Sequence, residues 1–290
     1  RQTAFWHESL AKCDIDKMNK KQLDRQEAIF ELFKSEVDLI EDLQMICNTY
    51  RESMRKLNLL NEDELTIIFG EIDSLLPIHR ELAAKLVEQR LSDGRTEFVG
   101  DILLTWIPKL IIYVLYCTNL IHSKDLLDCK TKENESLRDF LNRCLNSPFS
   151  RKLDLWTFLD IPRSRLVKYP LMFKTIHKYT DTDHDDYNLL LESIDLVEEV
   201  IKDVDYNTGL ARCKYIVDKL EYEDLKQVTE LISESSFILC DGILKNRRGI
   251  KLHVFLFDKV MVLTRPVTAK NNVIKYRVYR KPVAMNKLFL

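Results

Sequence analysis

The sequence predicts a mainly α protein, a bundle of about six long helices followed by a β-rich segment. Only four glycines occur in the first 230 residues, at positions 70, 94, 100 and 209. Apolar residues in this part recur at spacings of three and four, which is the period of an amphipathic helix. From about residue 233 the pattern changes to runs of β-branched and aromatic residues, which are typical of strands.

The first helix is predicted over residues 22–57, and one residue in its apolar stripe breaks the pattern. The stripe consists of Ile29, Phe33, Glu36, Ile40, Leu43 and Cys47. A carboxylate buried without a partner is costly, so Glu36 needs an explanation. Either Glu36 lies at the edge of the stripe and reaches water, or this end of the stripe is an exposed face that meets another protein. In the second case the carboxylate would accept hydrogen bonds from that protein.

Local signals place the next three helices. The second is predicted to begin near Asn61, because Glu64 follows at the spacing of a capping box. The segment SDG at 92–94 predicts a break. A third helix is predicted over 97–122 and a fourth over 133–146.

The segment 159-LDIPRSRLVKYPLMFKTI-176 predicts the fifth helix. Pro162 suits a first helical turn, with Asp160 before it as the cap. Pro170 is expected in the helix interior, where it would remove a hydrogen bond and kink the helix.

One side of this helix is predicted to be apolar and another cationic. The apolar side consists of Leu166, Tyr169, Phe173 and Ile176, and the cations are Arg165, Lys168 and Lys174. Such a flank is either simply solvated or part of a concave protein-binding surface. The sequence alone leaves both interpretations open.

A polar loop at 181–188 precedes the sixth helix, predicted from about 187 to beyond 204. This helix is expected to run directly into the sheet, since no Pro/Gly-rich linker separates them. Within the sheet, the DG at 241–242 and the RG at 248–249 predict turns.

Charge is distributed unevenly between the two parts. Residues 234–290 carry 12 Lys and Arg against 3 Asp and Glu, whereas residues 1–233 carry 32 against 43. This asymmetry indicates two domains with different partners, and the acidic body argues against binding of duplex nucleic acid. Seven scattered cysteines without a CxxC motif indicate reduced thiols in a cytosolic protein. The chain has no initiator Met, so a fragment is expected, and no transmembrane helix is predicted.

Motifs of catalytic chemistry are absent from the sequence. There is no GxSxG, no HExxH, no P-loop and no glycine-rich turn after a strand. The histidines do not occur at metal-binding spacing, so no metal and no cofactor are expected.

Two long motifs carry a family resemblance. The segment 153-LDLWTFLDIPRSRLVKYPLMFKTIHKYT-180 resembles the third conserved region of the Dbl-homology (DH) domain of Rho guanine nucleotide exchange factors. The segment 25-RQEAIFELFKSEVDLIEDL-43 resembles the first region, and the basic strands resemble the start of a pleckstrin-homology (PH) domain. SPFSRKLDLW and DIPRSRLVKYPL are similar to the neuroepithelial-transforming (NET) and XPLN subgroup, which favours RhoA and RhoB.

The resemblance implies an exchange factor that loads a Rho GTPase, RhoA or RhoB, without covalent chemistry, and so regulates the actin cytoskeleton. It implies an N-terminal extension (1–21), a DH domain (22–210), a helical connection (211–233) and a PH domain (234–290) that the chain leaves incomplete. It also implies a cytoplasmic protein with a nuclear pool and transient membrane association.

The family's functional positions match particular residues here. Glu36 matches the glutamate that contacts switch I of the GTPase, and Lys168 matches the basic residue that faces switch II. Asp205 replaces the family's Asn near the end of the last long helix, and it could pair with Lys168 instead. Weaker candidates for the same surface are Arg165, Lys174 and Leu171. Arg165 is alternatively a buried structural residue.

A second hypothesis is a non-catalytic scaffold or a phosphoinositide-binding membrane adaptor. The hairpin 245-KNRRGIKLH-253 brings four cations near one turn, where they could hold anionic headgroups: Lys245, Arg247, Arg248 and Lys251. The alternative is that the hairpin is merely solvated and contacts membranes weakly.

Overall fold

A computed structural model describes residues 5–6, 18–245, 249–268 and 274–288 of the chain. Most of these residues are helical, and strands occur at the C-terminal end, as the sequence predicts. A first hydrophobic core extends from Ala28 to Val204 within the helices. A second core joins the end of the last long helix to the sheet, from Cys213 to Val278.

The first helix, α1, spans Lys20–Met45 and begins at an Asn19 capping box. A π-helical turn at Ile46–Arg51 joins it to α2 at Glu52–Lys56, so the helical run matches the predicted 22–57 closely. The π turn shifts the register of the helix, and apolar residues spaced by three and four do not predict such a shift.

The second predicted helix begins where its capping box indicates. The backbone N–H of Glu64 donates to the Asn61 side chain and that of Asn61 to the Glu64 carboxylate, both at 2.9 Å. Here α3 spans Glu62–Phe69 and α4 spans Ile72–Glu88. The predicted break at 92–94 is a turn.

The third predicted helix has different bounds from those expected. It consists of α5 at Gly100–Trp106, a 3-10 segment at Ile107–Ile112 and α6 at Tyr113–Glu133. The run from Gly100 to Glu133 has the length and composition of a membrane span, but half of its most apolar window is buried inside the protein. Its residues therefore supply core to the bundle. The next helix, α7, spans Glu135–Asn146.

Pro162 does not start a helix. Helix α8 spans Leu155–Leu166, and the Asp154 carboxylate caps it by accepting the N–H of Thr157 at 2.7 Å. Pro162 therefore lies in the interior of α8, and Asp160 pairs with Arg163 at 2.7 Å instead of capping. The expected first-turn role of Pro162 is wrong.

Pro170 does not kink a helix. Helix α9 spans Tyr169–Lys178, and Pro170 lies in its first turn, where a missing N–H leaves no hydrogen bond unmade. Because α8 ends before this point, the proline ring does not meet the carbonyl four residues earlier as it would in a continuous helix. The bend is a junction at residues 167–168 between two separate helices.

The last long helix, α10, spans Asp186–Asp218 and leads directly into β1 at Leu220–Glu221, as predicted. The remaining strands are β2 (Ile238–Lys245), β3 (Lys251–Phe257), β4 (Val260–Thr268), β5 (Ile274–Val278) and β6 (Val283–Ala284). The sheet order is β1-β5-β4-β3-β2, with β6 on β4. β1 pairs with β5 in parallel, and β2 to β5 form an antiparallel meander.

The predicted turn at DG is wrong. Asp241 and Gly242 lie inside β2, opposite Phe255 and Val254 of β3. No atom lies within 4 Å of a Cβ added at Gly242, so this glycine is a strand residue on an open face. The predicted turn at RG includes Arg248, which lies outside the described residues. Gly249, two residues before β3, has a φ of +75°, the left-handed conformation that favours glycine.

Candidate functional site

Glu36 lies in the middle of the buried face of α1. Its side chain is 0% exposed, and Leu32 and Leu39 on the same face are also buried. Both sequence interpretations placed this carboxylate in contact with water or on an exposed face, and that exposure is wrong. The contact with a GTPase that the resemblance implies for Glu36 stays a prediction. The helical spacing was correct, but the stripe continues into the core.

Four polar groups explain how the carboxylate can be buried. Nδ1 of His79 on α4 donates to Oε2 at 2.8 Å, and the Tyr169 hydroxyl donates to Oε1 at 2.7 Å. The Arg165 guanidinium donates to Oε1 at 3.1 Å. Nε2 of His79 forms a 2.8 Å hydrogen bond with the hydroxyl of Tyr113 at the start of α6. A buried polar network is favourable only when its members are satisfied in this way.

The protonation of this cluster follows from its contacts. Burial alone would raise the pKa of Glu36, but the charge and hydrogen bond of His79, then the charge of Arg165 and the hydrogen bond of Tyr169, leave the pKa below its ordinary value. Burial raises the pKa of Tyr113 and Tyr169 well above the usual range, so both phenols keep their protons and can donate. The cluster therefore holds an ionised carboxylate away from water.

The junction between α8 and α9 brings Arg165 and Tyr169 to the same carboxylate. Arg165 is in the last turn of α8 and Tyr169 begins α9, and the guanidinium lies 5.1 Å from the centre of the tyrosine ring. The Arg165 side chain is only 11% exposed and also contacts Ser35. Of the two interpretations of Arg165, the buried structural residue is therefore the one the geometry favours.

Lys168, Leu171 and Lys174 lie on the outer side of α9. Their spacing of three residues places them on one face, opposite the buried Tyr169 and Phe173. Lys168 is exposed and forms no ion pair with any residue that the structure describes, and Leu171 is 69% exposed. Nζ of Lys174 instead pairs with Glu198 of α10 at 2.6 Å. An exposed apolar residue and an exposed cation therefore lie on the same face.

Asp205 lies on α10 at the same end of the helix pair as Lys168. The short loop between α9 and α10 makes them antiparallel, and the Lys174–Glu198 contact sets their register. Lys168 lies six residues before that contact and Asp205 seven residues after it. Asp205 is exposed and its carboxylate makes no ion pair with Lys168, so the expected pairing is wrong. It acts electrostatically on Arg163 of α8.

His79 and Tyr169 were not predicted as partners of Glu36, nor was Tyr113 as the partner of His79. One signal was available, because His79 occupies the core stripe of α4 between Leu75 and Leu82 and is itself fully buried. A histidine and a glutamate in two separate apolar stripes predict a pair. Which elements meet was not visible in the sequence.

Two of the four hairpin cations lie within the described residues. Lys245 and Lys251 are both exposed and lie directly opposite each other in the β2–β3 register. Arg247 and Arg248 lie outside the described residues. Among the residues the structure describes, no group of His, Cys, Asp and Glu has the arrangement of a metal site.

A helical bundle with an exposed α9–α10 surface followed by a small sheet defines the DH/PH class of domains. Residues 28–205 match the RhoGEF domain family, and the chain belongs to that family. It is 47% identical over 290 residues to Rho guanine nucleotide exchange factor 3 of Gallus gallus, covering 100% of this chain and 55% of that protein. It is 46% identical to the Homo sapiens neuroepithelial cell-transforming gene 1 protein, covering 48% of it. The chain thus spans about half the length of these relatives.

Solved structures confirm the fold. The DH/PH domain of human ARHGEF11, in a ternary complex with human RhoA and its inhibitor, superposes with a TM-score of 0.78 at 20% identity. That match covers 99% of this chain and 86% of the other. The DH/PH domains of p115-RhoGEF superpose with a TM-score of 0.72, covering 98% and 86%. At this identity the likeness concerns the fold alone.

Proposed function

We propose that this chain is a guanine nucleotide exchange factor for a Rho-family GTPase, with RhoA or RhoB as substrate. The observation that carries the proposal is the exposed pair of Lys168, directly before α9, and Leu171 in α9, within a segment that resembles the family's third conserved region. Similarity over the whole of this chain to a relative named Rho guanine nucleotide exchange factor 3 supports it. The division into an extension (1–21), DH domain (22–210), connection (211–233) and PH part (234–290) belongs to the same proposal.

The mechanism requires no covalent chemistry. A nucleotide bound at nanomolar to picomolar affinity is held by about 12–16 kcal/mol. An exchange factor lowers this affinity by binding the nucleotide-free GTPase better than the loaded one, since only differential affinity shifts such an equilibrium. In the proposal Lys168 and Leu171 contact the switch II side of the GTPase. Asp205 and Lys174 are at the edge of that surface.

Nucleotide release is the direct test. RhoA, Rac and Cdc42, each loaded with fluorescent GDP, are mixed with the wild-type chain and with Lys168→Ala. We expect the wild-type chain to accelerate GDP release from RhoA. If the Lys168 ammonium makes one charge-assisted hydrogen bond, Lys168→Ala should reduce this acceleration by about tenfold or more. Lys132→Ala is the matched control. It is an exposed lysine in the last turn of α6, about 28 Å along that helix from the Tyr113 end.

Two results would contradict the proposal. One is that release from all three GTPases stays at its spontaneous rate. The other is that Lys168→Ala and Lys132→Ala both accelerate nucleotide release from the GTPase as much as wild type while both variants remain folded. That result would remove Lys168 from the interface.

Membrane attachment through the sheet is a second candidate function, favoured by the two facing lysines. Like charges directly opposite each other destabilise a strand pair, so an anionic ligand at Lys245 and Lys251 would relieve a repulsion within the hairpin. The test is sedimentation with liposomes containing phosphoinositides, for the wild type and for a variant with Lys245, Arg247, Arg248 and Lys251 changed to Ala. Equal binding of the two proteins would exclude the idea.

A further inference from the structure

The two oxygens of the Glu36 carboxylate face different surroundings. Oε2 points to His79, whose side chain is 0% exposed. Oε1 points to Tyr169 and Arg165, and Arg165 is the one partner with any exposed side-chain surface. Oε1 therefore faces the α8–α9 junction, the segment that also contains the exposed Lys168.

His79 is held from both ends of its ring. Because a carboxylate only accepts hydrogen bonds, the proton on the Glu36 side lies on Nδ1. Nε2 shares a 2.8 Å hydrogen bond with the Tyr113 hydroxyl, which donates to a neutral ring and accepts from a protonated one. The Trp106 ring packs edge-on against His79, with 6.0 Å between ring centres. The imidazole has no freedom to leave Oε2.

We propose that His79 is a positioning residue for nucleotide exchange on a Rho GTPase, and that Tyr113 in turn positions His79. His79 fixes Oε2 so that Oε1 is aimed at the Lys168 side of the bundle. Arg165 occupies Oε1 in the free protein, and it must withdraw before a GTPase can use that oxygen. This inference rests on the proposed function, and it adds a residue on α4 that does not touch the partner.

Two substitutions at position 79 separate positioning from simple packing. In His79→Asn the side-chain amide nitrogen takes the place of Nδ1, so the bond to Glu36 is kept and the bond to Tyr113 is lost. In His79→Gln the amide reaches the position of Nε2, so the bond to Tyr113 is kept and that to Glu36 is lost. Both variants bury an amide in the same site, so each controls for the other.

The measurement is kcat/KM for nucleotide release from RhoA, with Kd for nucleotide-free RhoA and thermal unfolding in parallel. We expect His79→Asn to be at least about tenfold more active than His79→Gln, the ratio given by one charge-assisted hydrogen bond. His79→Gln should have the lower Tm, because it removes a donor from the buried carboxylate, so kcat/KM is compared at a temperature at which both variants are folded. In a Glu36→Gln background the difference between them should disappear, since coupled residues are non-additive.

Tyr113→Phe keeps the inference testable if both variants at position 79 fail to fold. It removes only a hydroxyl, and we expect about a threefold loss in kcat/KM that vanishes with Glu36→Gln. Three results would overturn the inference while leaving the proposed function intact. They are equal kcat/KM of His79→Asn and His79→Gln, a difference between these variants that persists in the Glu36→Gln background, and wild-type kcat/KM of Tyr113→Phe. A wild-type chain inactive on every Rho GTPase would overturn both.

Discussion

Nδ1 of His79 donates a 2.8 Å hydrogen bond to the Glu36 carboxylate and joins two fully buried side chains that are 43 residues apart. This contact adds a polar link to the apolar packing between α1 and α4. Removing one partner of such a cluster leaves a buried group unsatisfied, which is more costly than losing an exposed pair.

The stability that Glu36 contributes should depend on pH. Its pKa is lower in the folded chain than in the unfolded chain, so the contribution is complete above about pH 5 and is lost as pH falls through the folded pKa. We expect Glu36→Gln to lower the free energy of unfolding by about 1–3 kcal/mol at pH 7. Urea unfolding at pH 7 and pH 4 should show this deficit shrinking at the lower pH.

The control is Glu31→Gln, an exposed glutamate on the same helix. It should change stability little at either pH. A deficit for Glu36→Gln that is the same at pH 7 and pH 4 would contradict the lowered pKa.

Asp186 should be among the most important residues for stability. Its buried carboxylate accepts from Arg25 and Val99 at 2.8 Å and from Gly100 at 2.9 Å, so it joins α1, α5 and α10. We expect Asp186→Ala to cost about 3–5 kcal/mol in urea unfolding, because Arg25 would lose its buried counter-ion.

Lys21→Ala offers a matched comparison with Asp186→Ala. Lys21 pairs with Asp181 at 2.6 Å in the same region, but the two side chains are 43% and 53% exposed. Removing this pair should cost about 0–1 kcal/mol. Similar losses from both substitutions would show that burial does not control the strength of these pairs.

Pro170→Ala should have a small effect. In the first turn of α9 the proline only restricts the unfolded chain, so we expect a loss below about 1 kcal/mol. If Pro170 instead bent a continuous helix, alanine would relieve a penalty of about 3 kcal/mol and stabilise the protein. Thermal and urea unfolding distinguish these outcomes by sign.

Asp205→Asn should increase exchange. The substitution restores the family's amide donor at an exposed position, and one neutral hydrogen bond corresponds to about a 2–10-fold gain in kcat/KM on RhoA. Asp203→Asn, an exposed neighbour on α10, is the control for the change in net charge. A lower rate for Asp205→Asn than for wild type would mean that the carboxylate itself contacts the GTPase.

The sequence by itself determined the local features of this protein. The Asn61–Glu64 capping box marked a helix start because both hydrogen bonds form within one turn. Apolar spacing indicated the long helices, the strands and the buried side of α9, since each pattern follows from the geometry of a single element. The motifs around Lys168 pointed to the family for the same reason.

Only the tertiary structure decided how distant residues meet. Glu36 was recognised as an anomaly, but its burial depends on His79, Arg165 and Tyr169, which three other helices bring to it. The roles of Pro162 and Pro170 depended on where α8 ends, which the packing of the bundle sets. Asp205 and Lys168 reach the same end of a helix pair without forming an ion pair. Helix periodicity specifies which face of a helix is buried, but the partners on that face are set by packing between segments far apart in the chain.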